Sequence, residues 1–389
     1  MKIENVQVLN LSFQHPEGHK WEKGEVSARG WDQVLVVIDT DQGIRGIGES
    51  YHLKNPAVVV SAITQTLAPL LVGREATDIE AIWEFLYGRT QQLGATAVAA
   101  IAGIDTALHD ILSKAAEIPL YRLLGGHERA IPTYVGGHVL GWRSIDDLDD
   151  LVAEAKVYVD QGYKALKIRG GRGLPDRGDI ESVKALREAY GDKIDILVDA
   201  NNEYKDFQTA ARMAEALEPF GVFWLEDCFT FSSAVHPKQI SELSRNTRMR
   251  IATGGNTFSR FGMQQVLEAG GVDVVMANTA KAGGISEVRK IQALVSAANG
   301  KYSAHCDGGL NAFSNAHVFA SAPPHITEGM HLEWDPIWPF EELVTSPLVV
   351  DDGFVILPDE PGLGTELRPD AEKRHAASQD TYFKLSEKF

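Results

Sequence analysis

Two carboxylates at the ends of consecutive apolar runs are the residues of this chain most suited to chemistry. Asp199 closes IDILVDA and Glu226 closes VFWLED. Hard oxygen donors of this kind hold Mg²⁺, which commonly takes one or two carboxylates and fills its octahedron with water and substrate. One strand-end acid would more often cap a helix or pair with a lysine; two on successive runs favour a metal. Lys167 and Arg169 close YKALKIR, and residues two apart on a strand point to one face. Two cations aimed into an interior are costly unless they meet an anion or perform chemistry. His305, which closes YSAHC, titrates near neutrality and is the acid/base candidate. Glu333, which closes MHLEW, would donate a hydrogen bond to a developing oxyanion if burial kept it protonated.

These ends must be gathered from distant parts of the chain, and their spacing says how. With Gly255 closing RIATGG and Asn278 closing DVVMAN, successive ends from Lys167 to Glu333 lie 23 to 32 residues apart. Eight apolar runs fall between Ala130 and Trp334. A (β/α)8 barrel uses about 30 residues per strand-helix unit and places its active site at the C-terminal strand ends. Helical stretches such as DIESVKALREAY, FQTAARMAEALE and ISEVRKIQALVSAAN separate the runs, the βαβ pattern of a parallel sheet.

The segment 1–126 reads as a separate α+β unit, with strand-like VQVLNLSF and QVLVVIDT and a long helix that stops before Pro119. Between its strands lies a polar loop, 15–31, with His15, Glu17, His19, Lys20 and Trp21. A loop of that length is expected to be a substrate-covering lid or an excursion. The barrel is expected over 127–335, and the tail 336–389 to pack back on the first unit rather than to extend the barrel.

The 389 residues suffice for a barrel of about 250 residues and a smaller domain. A net charge of −17 argues against nucleic acid or an anionic membrane as partner. An anionic small molecule would need only a local cluster such as Lys164, Lys167, Arg169 and Lys281. Two cysteines, Cys228 and Cys306, make no disulfide framework and point to a reducing compartment, with both thiols buried and inert. MKIENVQVLN lacks the apolar core of a signal peptide or membrane span, so a cytoplasmic protein is expected.

The combination of GIRGIGE, IAGIDTALHDILSKAAEIPLYRLLGG, GYKALKIR, VDANN, WLED, ATGGN, NTAKAGGISE, SAHCDGG, HLEWD and PDEPGLG resembles the enolase superfamily, mandelate racemase subgroup, nearly end to end. The resemblance implies a modified (β/α)7β barrel with an α+β capping domain completed by the C-terminal segment. It implies one Mg²⁺ per chain, a homo-oligomer, and abstraction of a proton α to a carboxylate through an enediolate. Carried over, Asp199 and Glu226 are metal ligands, Lys167 neutralises the substrate carboxylate, His305 is the acid/base, Glu333 bonds the enediolate and Asn201 contacts substrate. Lys164 and Trp21 are further substrate-binding candidates.

Three positions depart from the family pattern. The third metal ligand's place is Gly255, leaving neighbouring Asn256 or water to substitute. The second lysine of the usual pair is Arg169, a poor base and a good carboxylate clamp. The acid that pairs with the histidine is replaced by Asn278, which would orient His305 through its amide oxygen without stabilising imidazolium by charge. Dehydration of a sugar acid to a 2-keto-3-deoxy acid is the leading expectation. Racemisation is the first rival and requires two bases; a barrel that binds a carboxylate without turnover is the other.

Overall fold

The computed structural model describes residues 1–16, 21–23, 26–28, 30–136, 140, 148–170, 177–229, 236–377 and 383–385. The N-terminal unit is built on a three-stranded antiparallel sheet of β1 (Ile3–Gln14), β4 (Gly30–Thr40) and β5 (Arg45–Ser50) in the order β1-β4-β5. Period-2 alternation divides β4 between two cores. Val34, Val36 and Ile38 pack with the helices of the N-terminal unit, whereas Leu35 and Val37 join the barrel core. The Ala95–Ala115 helix lies against β5. A Cβ at Gly46 or Gly48 would collide with the carbonyl oxygens of Ala107 and Gly103, so the glycines of IRGIGE are what let helix and strand backbones touch. That helix is long and apolar enough to cross a membrane, but 83% of its most apolar stretch is buried inside the protein.

The segment expected as a polar loop contains two short strands, β2 (Trp21–Lys23) and β3 (Val26–Ala28), which pair antiparallel. Strand β16 (Phe383–Leu385) pairs with β3 and completes a small sheet. Strands of three residues are too short for local periodicity to reveal, and β3 takes its second partner, β16, from the far end of the chain. Residues 17–20, 24–25 and 29 lie outside the described residues.

The barrel consists of β6 (Ala130–Val135), β7 (Ala165–Arg169), β8 (Asp195–Asp199), β9 (Trp224–Glu226), β10 (Arg250–Thr253), β11 (Val274–Val275), β12 (Lys301–Tyr302) and β13 (Leu332–Trp334). Neighbours from β6 to β12 are parallel, and β13 returns to β6 with Leu332 opposite Thr133. The Glu333 N–H donates to Ala304 O at 3.2 Å and stitches β13 to the chain beyond β12. Helices follow the first seven strands and the eighth closes the ring, the (β/α)7β arrangement expected. The helix at Arg177–Tyr190 and those at Phe207–Leu217 and Ile285–Ala297 fall where the sequence period placed them.

The tail divides between the two units, which corrects the expectation for 336–389. Strands β14 (Val349–Asp351) and β15 (Phe354–Ile356) form a hairpin, and β15 pairs antiparallel with β6, Val355 opposite Ile131. This hairpin therefore does extend the barrel sheet, because residues 130–132 of β6 precede the stretch that pairs with β13 and leave backbone groups that a short strand can satisfy. Farther on, Ala377 N donates to Asn10 O on β1 at 2.9 Å and returns the chain to the N-terminal unit.

Buried polar contacts join the units. Glu49, at the end of β5, accepts from Asn311 N at 2.7 Å and Asn311 Nδ2 at 2.8 Å. Trp83 Nε1 donates to Gly283 O at 2.8 Å. His317 is fully buried, accepts from Tyr121 N at Nδ1 (3.0 Å) and reaches Leu363 O with Nε2 (3.2 Å). Burial pulls its imidazole from 6.5 down to about 4. The folded state thus binds fewer protons than the unfolded chain below pH 6.5. Stability should be complete above pH 6.5 and decline as pH falls toward 4, by about 3 kcal/mol from this group. Urea unfolding at pH 7 and pH 4.5 checks it: a His317→Gln variant should lose less stability between the two pH values than the parent.

Candidate active site

The parallel register does much of the assembly. Arg169 lies opposite Asp199, and Asp199 opposite Glu226, so three charged side chains end adjacent strands at one level. On β7 the alternation is realised as expected: Lys167 and Arg169 turn inward while Leu166 and Ile168 join the hydrophobic core. Lys167 is 1% exposed. Its Nζ lies 2.7 Å from Glu333, 3.2 Å from Glu226 and 3.8 Å from Asp199, and donates to Tyr134 OH at 3.4 Å. Arg169 is ion-paired with Asp199 through Nη1, and its Nη2 lies 4.0 Å from Glu333.

Burial alone would pull the Lys167 ammonium down, but Glu226 and Glu333 hold it above its ordinary value. Arg169 is raised likewise, burial being outweighed by Asp199 and Glu333. Glu333 corrects the expectation of a protonated donor. Burial pushes its carboxyl up, yet Lys167, His305 and Arg169 together bring it far below the carboxylate range. The Lys167 ammonium at 2.7 Å favours its carboxylate form, and Glu333 also accepts from Cys306 N at 3.0 Å. Glu226 moves the other way: burial, with Asp199 and Glu333 nearby, lifts it well above the ordinary value against the pull of Lys167. Crowded carboxylates sharing one cation split in this manner.

At Gly255 the structure gives the departure a physical meaning. A Cβ there would stand 2.5 Å from His305 Cδ2 and 3.0 Å from Cγ. The imidazole occupies the ground that a ligand-bearing side chain would need. Asn256, the alternative third ligand, spends its amide elsewhere: Nδ2 donates to Asp227 Oδ2 and Oδ1 accepts from Lys281 Nζ, both at 3.4 Å.

Asn278 is placed beside His305, but not through its amide oxygen as the sequence suggested. Oδ1 accepts from Ala280 N at 2.8 Å and caps the next helix. The amide nitrogen therefore faces His305 Nδ1 at 3.4 Å and donates to Asp307 Oδ2 at 3.0 Å. Asp307 also holds Lys281, whose Nζ is 2.9 Å away and sits 4.3 Å from the centre of the Tyr51 ring. His305 is drawn down to about 4, by burial first and then by Lys281.

A cavity of about 170 Å³ opens over this group, lined among others by Gln33, Tyr51 and His52 of the N-terminal unit and by Arg169, Lys281 and His305 of the barrel. Asn201 also lines it, with φ +52 and its N–H donated to Asp199 Oδ1 at 2.7 Å. Gln33, which lines the cavity, has its Oε1 buried without a hydrogen-bond partner. Lys164 is not part of the site. It is exposed and precedes the first residue of β7, so it stands at the opposite end of the strand from Arg169. Trp21 lies on β2, and its side chain is outside the described residues. Cys228 and Cys306 are buried free thiols, both pushed up by burial.

Lys281, named from sequence only as part of a cationic cluster, does line the cavity, whereas Asp307, Tyr134 and Gln33 were not singled out as site residues from sequence. Asp307 follows His305 by two residues and Lys281 follows Asn278 by three, which is the signal that was there to be read.

Among the described residues no group of three or more His, Cys, Asp or Glu side chains is gathered as a metal cage. Asp199 and Glu226 nonetheless supply two adjacent, buried oxygen donors that already face cationic groups. That donor set suits Mg²⁺ with water and substrate filling the remaining positions.

Comparison with known proteins agrees with this layout. Residues 150–371 match the enolase C-terminal domain-like family, and residues 26–125 match the N-terminal domain of the mandelate racemase/muconate lactonizing enzyme family. The arabinonate dehydratase of Saccharolobus solfataricus is 30% identical over 94% of this chain and 97% of its own length. The 3,6-anhydro-alpha-L-galactonate cycloisomerase of Streptomyces coelicolor is 30% identical over 87% of this chain and 89% of its own. A racemase from Streptomyces coelicolor A3(2), solved with bound magnesium, superposes with a TM-score of 0.86 at 28% identity, covering 96% of this chain and 100% of the other. With both domains matched and the acidic, basic and histidine positions gathered at the barrel mouth, the chain belongs to the mandelate racemase/muconate lactonizing enzyme family of the enolase superfamily.

Proposed function

We propose that the protein is a carbon–oxygen lyase that dehydrates a sugar acid to a 2-keto-3-deoxy acid, with one Mg²⁺ per chain. The observation that carries this reading is an asymmetry of the site. One side presents a neutral imidazole, and the other presents Lys167 and Arg169, both held as cations by carboxylates. A racemase needs a base on each face; an elimination can run with one. The named activity of the Saccharolobus relative points the same way.

Asp199 and Glu226 would hold the metal. Bound there, Mg²⁺ supplies Lewis-acid neutralisation of charge developing on the substrate carboxylate. Lys167 and Arg169 orient that carboxylate and meet part of the charge themselves. His305 takes the α-proton on Nε2, and the C–H electron pair passes into the enediolate. Collapse of the enediolate expels the β-hydroxyl, which receives the proton back from His305 and leaves as water. The resulting enol becomes the 2-keto acid. Glu333, as an anion, holds Lys167 in place rather than donating to the enediolate. Gln33 and Lys281 offer an acceptor and a donor to the hydroxyl-bearing end of the substrate.

The test is a screen of sugar acids with purified protein and Mg²⁺, detecting 2-keto acid as its semicarbazone. A hit is expected, with turnover lost in His305→Asn and Mg²⁺ binding lost in Asp199→Ala by calorimetry. Because His305 must be neutral to accept a proton and titrates at about 4, kcat/KM should hold from pH 7 to about pH 5 and fall only below. A library without product, together with α-proton exchange in D₂O, would replace the lyase by a racemase. A library with neither product nor exchange would leave a carboxylate-binding barrel.

A further inference from the structure

We propose that Asp307 is the charge partner of His305, standing in from the histidine's own strand-end segment for the acid that position 278 lacks. The inference rests on the reading of His305 as the proton carrier. The Asn278 amide cannot accept the Nδ1 proton, because its oxygen is committed to Ala280 N and its nitrogen faces the ring. The Asp307 carboxylate is the acceptor at hand, with Oδ2 3.7 Å from Nδ1. A closer approach of roughly 0.5–1 Å would bring that contact within hydrogen-bond length. Asn278 assists by donating to the same oxygen at 3.0 Å and fixing its place.

The backbone is anchored as well, since Asn315 Nδ2 donates to His305 O at 3.0 Å. Gly255 leaves room for the ring. Four charged groups bear on the imidazole: Lys281 and Lys167 oppose its protonation, and Asp307 and Glu333 favour it. Glu333 is 4.0 Å from Nε2, on the side where substrate must enter, and is engaged by Lys167. Asp307 alone of the two acids lies at Nδ1, where it stabilises imidazolium without obstructing Nε2. Lys281 competes for the same carboxylate at 2.9 Å. Asp307 is therefore a positioning residue whose hold on His305 is set by Lys281.

The test follows the His305 Cε1 resonance with pH by NMR, assigned by its absence in His305→Asn, in parallel with kinetics. Asp307→Asn should lower the His305 midpoint by about one pH unit and reduce kcat by at least about thirtyfold with KM little changed. Lys281→Met should raise the midpoint, because it removes a cation and frees Asp307. The double variant Asn278→Asp/Asp307→Asn, which moves the carboxylate to the other side of Nδ1, should recover the midpoint and at least about tenfold of the lost kcat. Unmoved midpoints in both single variants would overturn the proposal, as would a double variant no better than Asp307→Asn. If the wild-type protein yields no 2-keto acid, the lyase reading fails on its own, and the NMR midpoints still decide the role of Asp307.

Discussion

Replacing Lys167 by methionine should cost about 3–5 kcal/mol of stability at pH 7 in the absence of divalent metal. The methionine fills similar volume, so the loss is electrostatic. Glu333 would lose a partner at 2.7 Å and Glu226 one at 3.2 Å, in a site where the lysine is 1% exposed. Arg169, ion-paired with Asp199 and 4.0 Å from Glu333, cannot cover both. Two accompanying signs identify the cause. Added Mg²⁺ should restore part of the loss, because a divalent cation neutralises the stranded carboxylates, and it should raise the melting temperature of the variant more than that of the parent. The deficit should also shrink on acidification, as the carboxylates take up protons. Turnover should fall by at least about a thousandfold. Urea unfolding at pH 7 and pH 5, with and without Mg²⁺, is the measurement; a variant as stable as the parent in every condition would mean that the ammonium is not what balances these acids.

Gly255→Glu should separate metal binding from catalysis. A glutamate at this position returns a third carboxylate to the mouth, so Mg²⁺ should bind more tightly by calorimetry. Its Cβ, however, falls 2.5 Å from His305 Cδ2, and the ring must shift from its present place beside Asn278 and Asp307. The rate should drop by at least about a hundredfold, the usual contribution of a positioned acid/base. Gly255→Ala isolates the steric part, losing rate without gaining metal affinity. Affinity and rate rising together in the glutamate variant would show that the imidazole has room to spare.

The sequence made the barrel legible because each strand is a short apolar run with a polar end, and the register Arg169–Asp199–Glu226 follows from those ends. What it left open depended on geometry across the ring. The protonation of Glu333 turns on a 2.7 Å contact with a lysine distant in sequence, and no local pattern reports that distance. Lys164 looked like part of a cationic cluster because a stretch of alternating residues does not say where the strand begins; it begins at Ala165. The orientation of the Asn278 amide is dictated by a helix N-terminus that needs an acceptor, a demand visible only once that helix is in place. For β14 and β15, the β-branched run was readable, but the choice of the β6 edge as partner was not.

The division of β4 between two interiors has an evolutionary corollary. The strand bears Gln33 toward the ligand cavity, and its next residues pack alternately into one core and the other. A lineage that acquires a new substrate by altering this wall alters the fit of both domains in the same step. Grafting only the covering segment from a relative with another preference would leave two mismatched interiors. Selectivity and heat tolerance should therefore change together when this wall is altered among descendants of the scaffold.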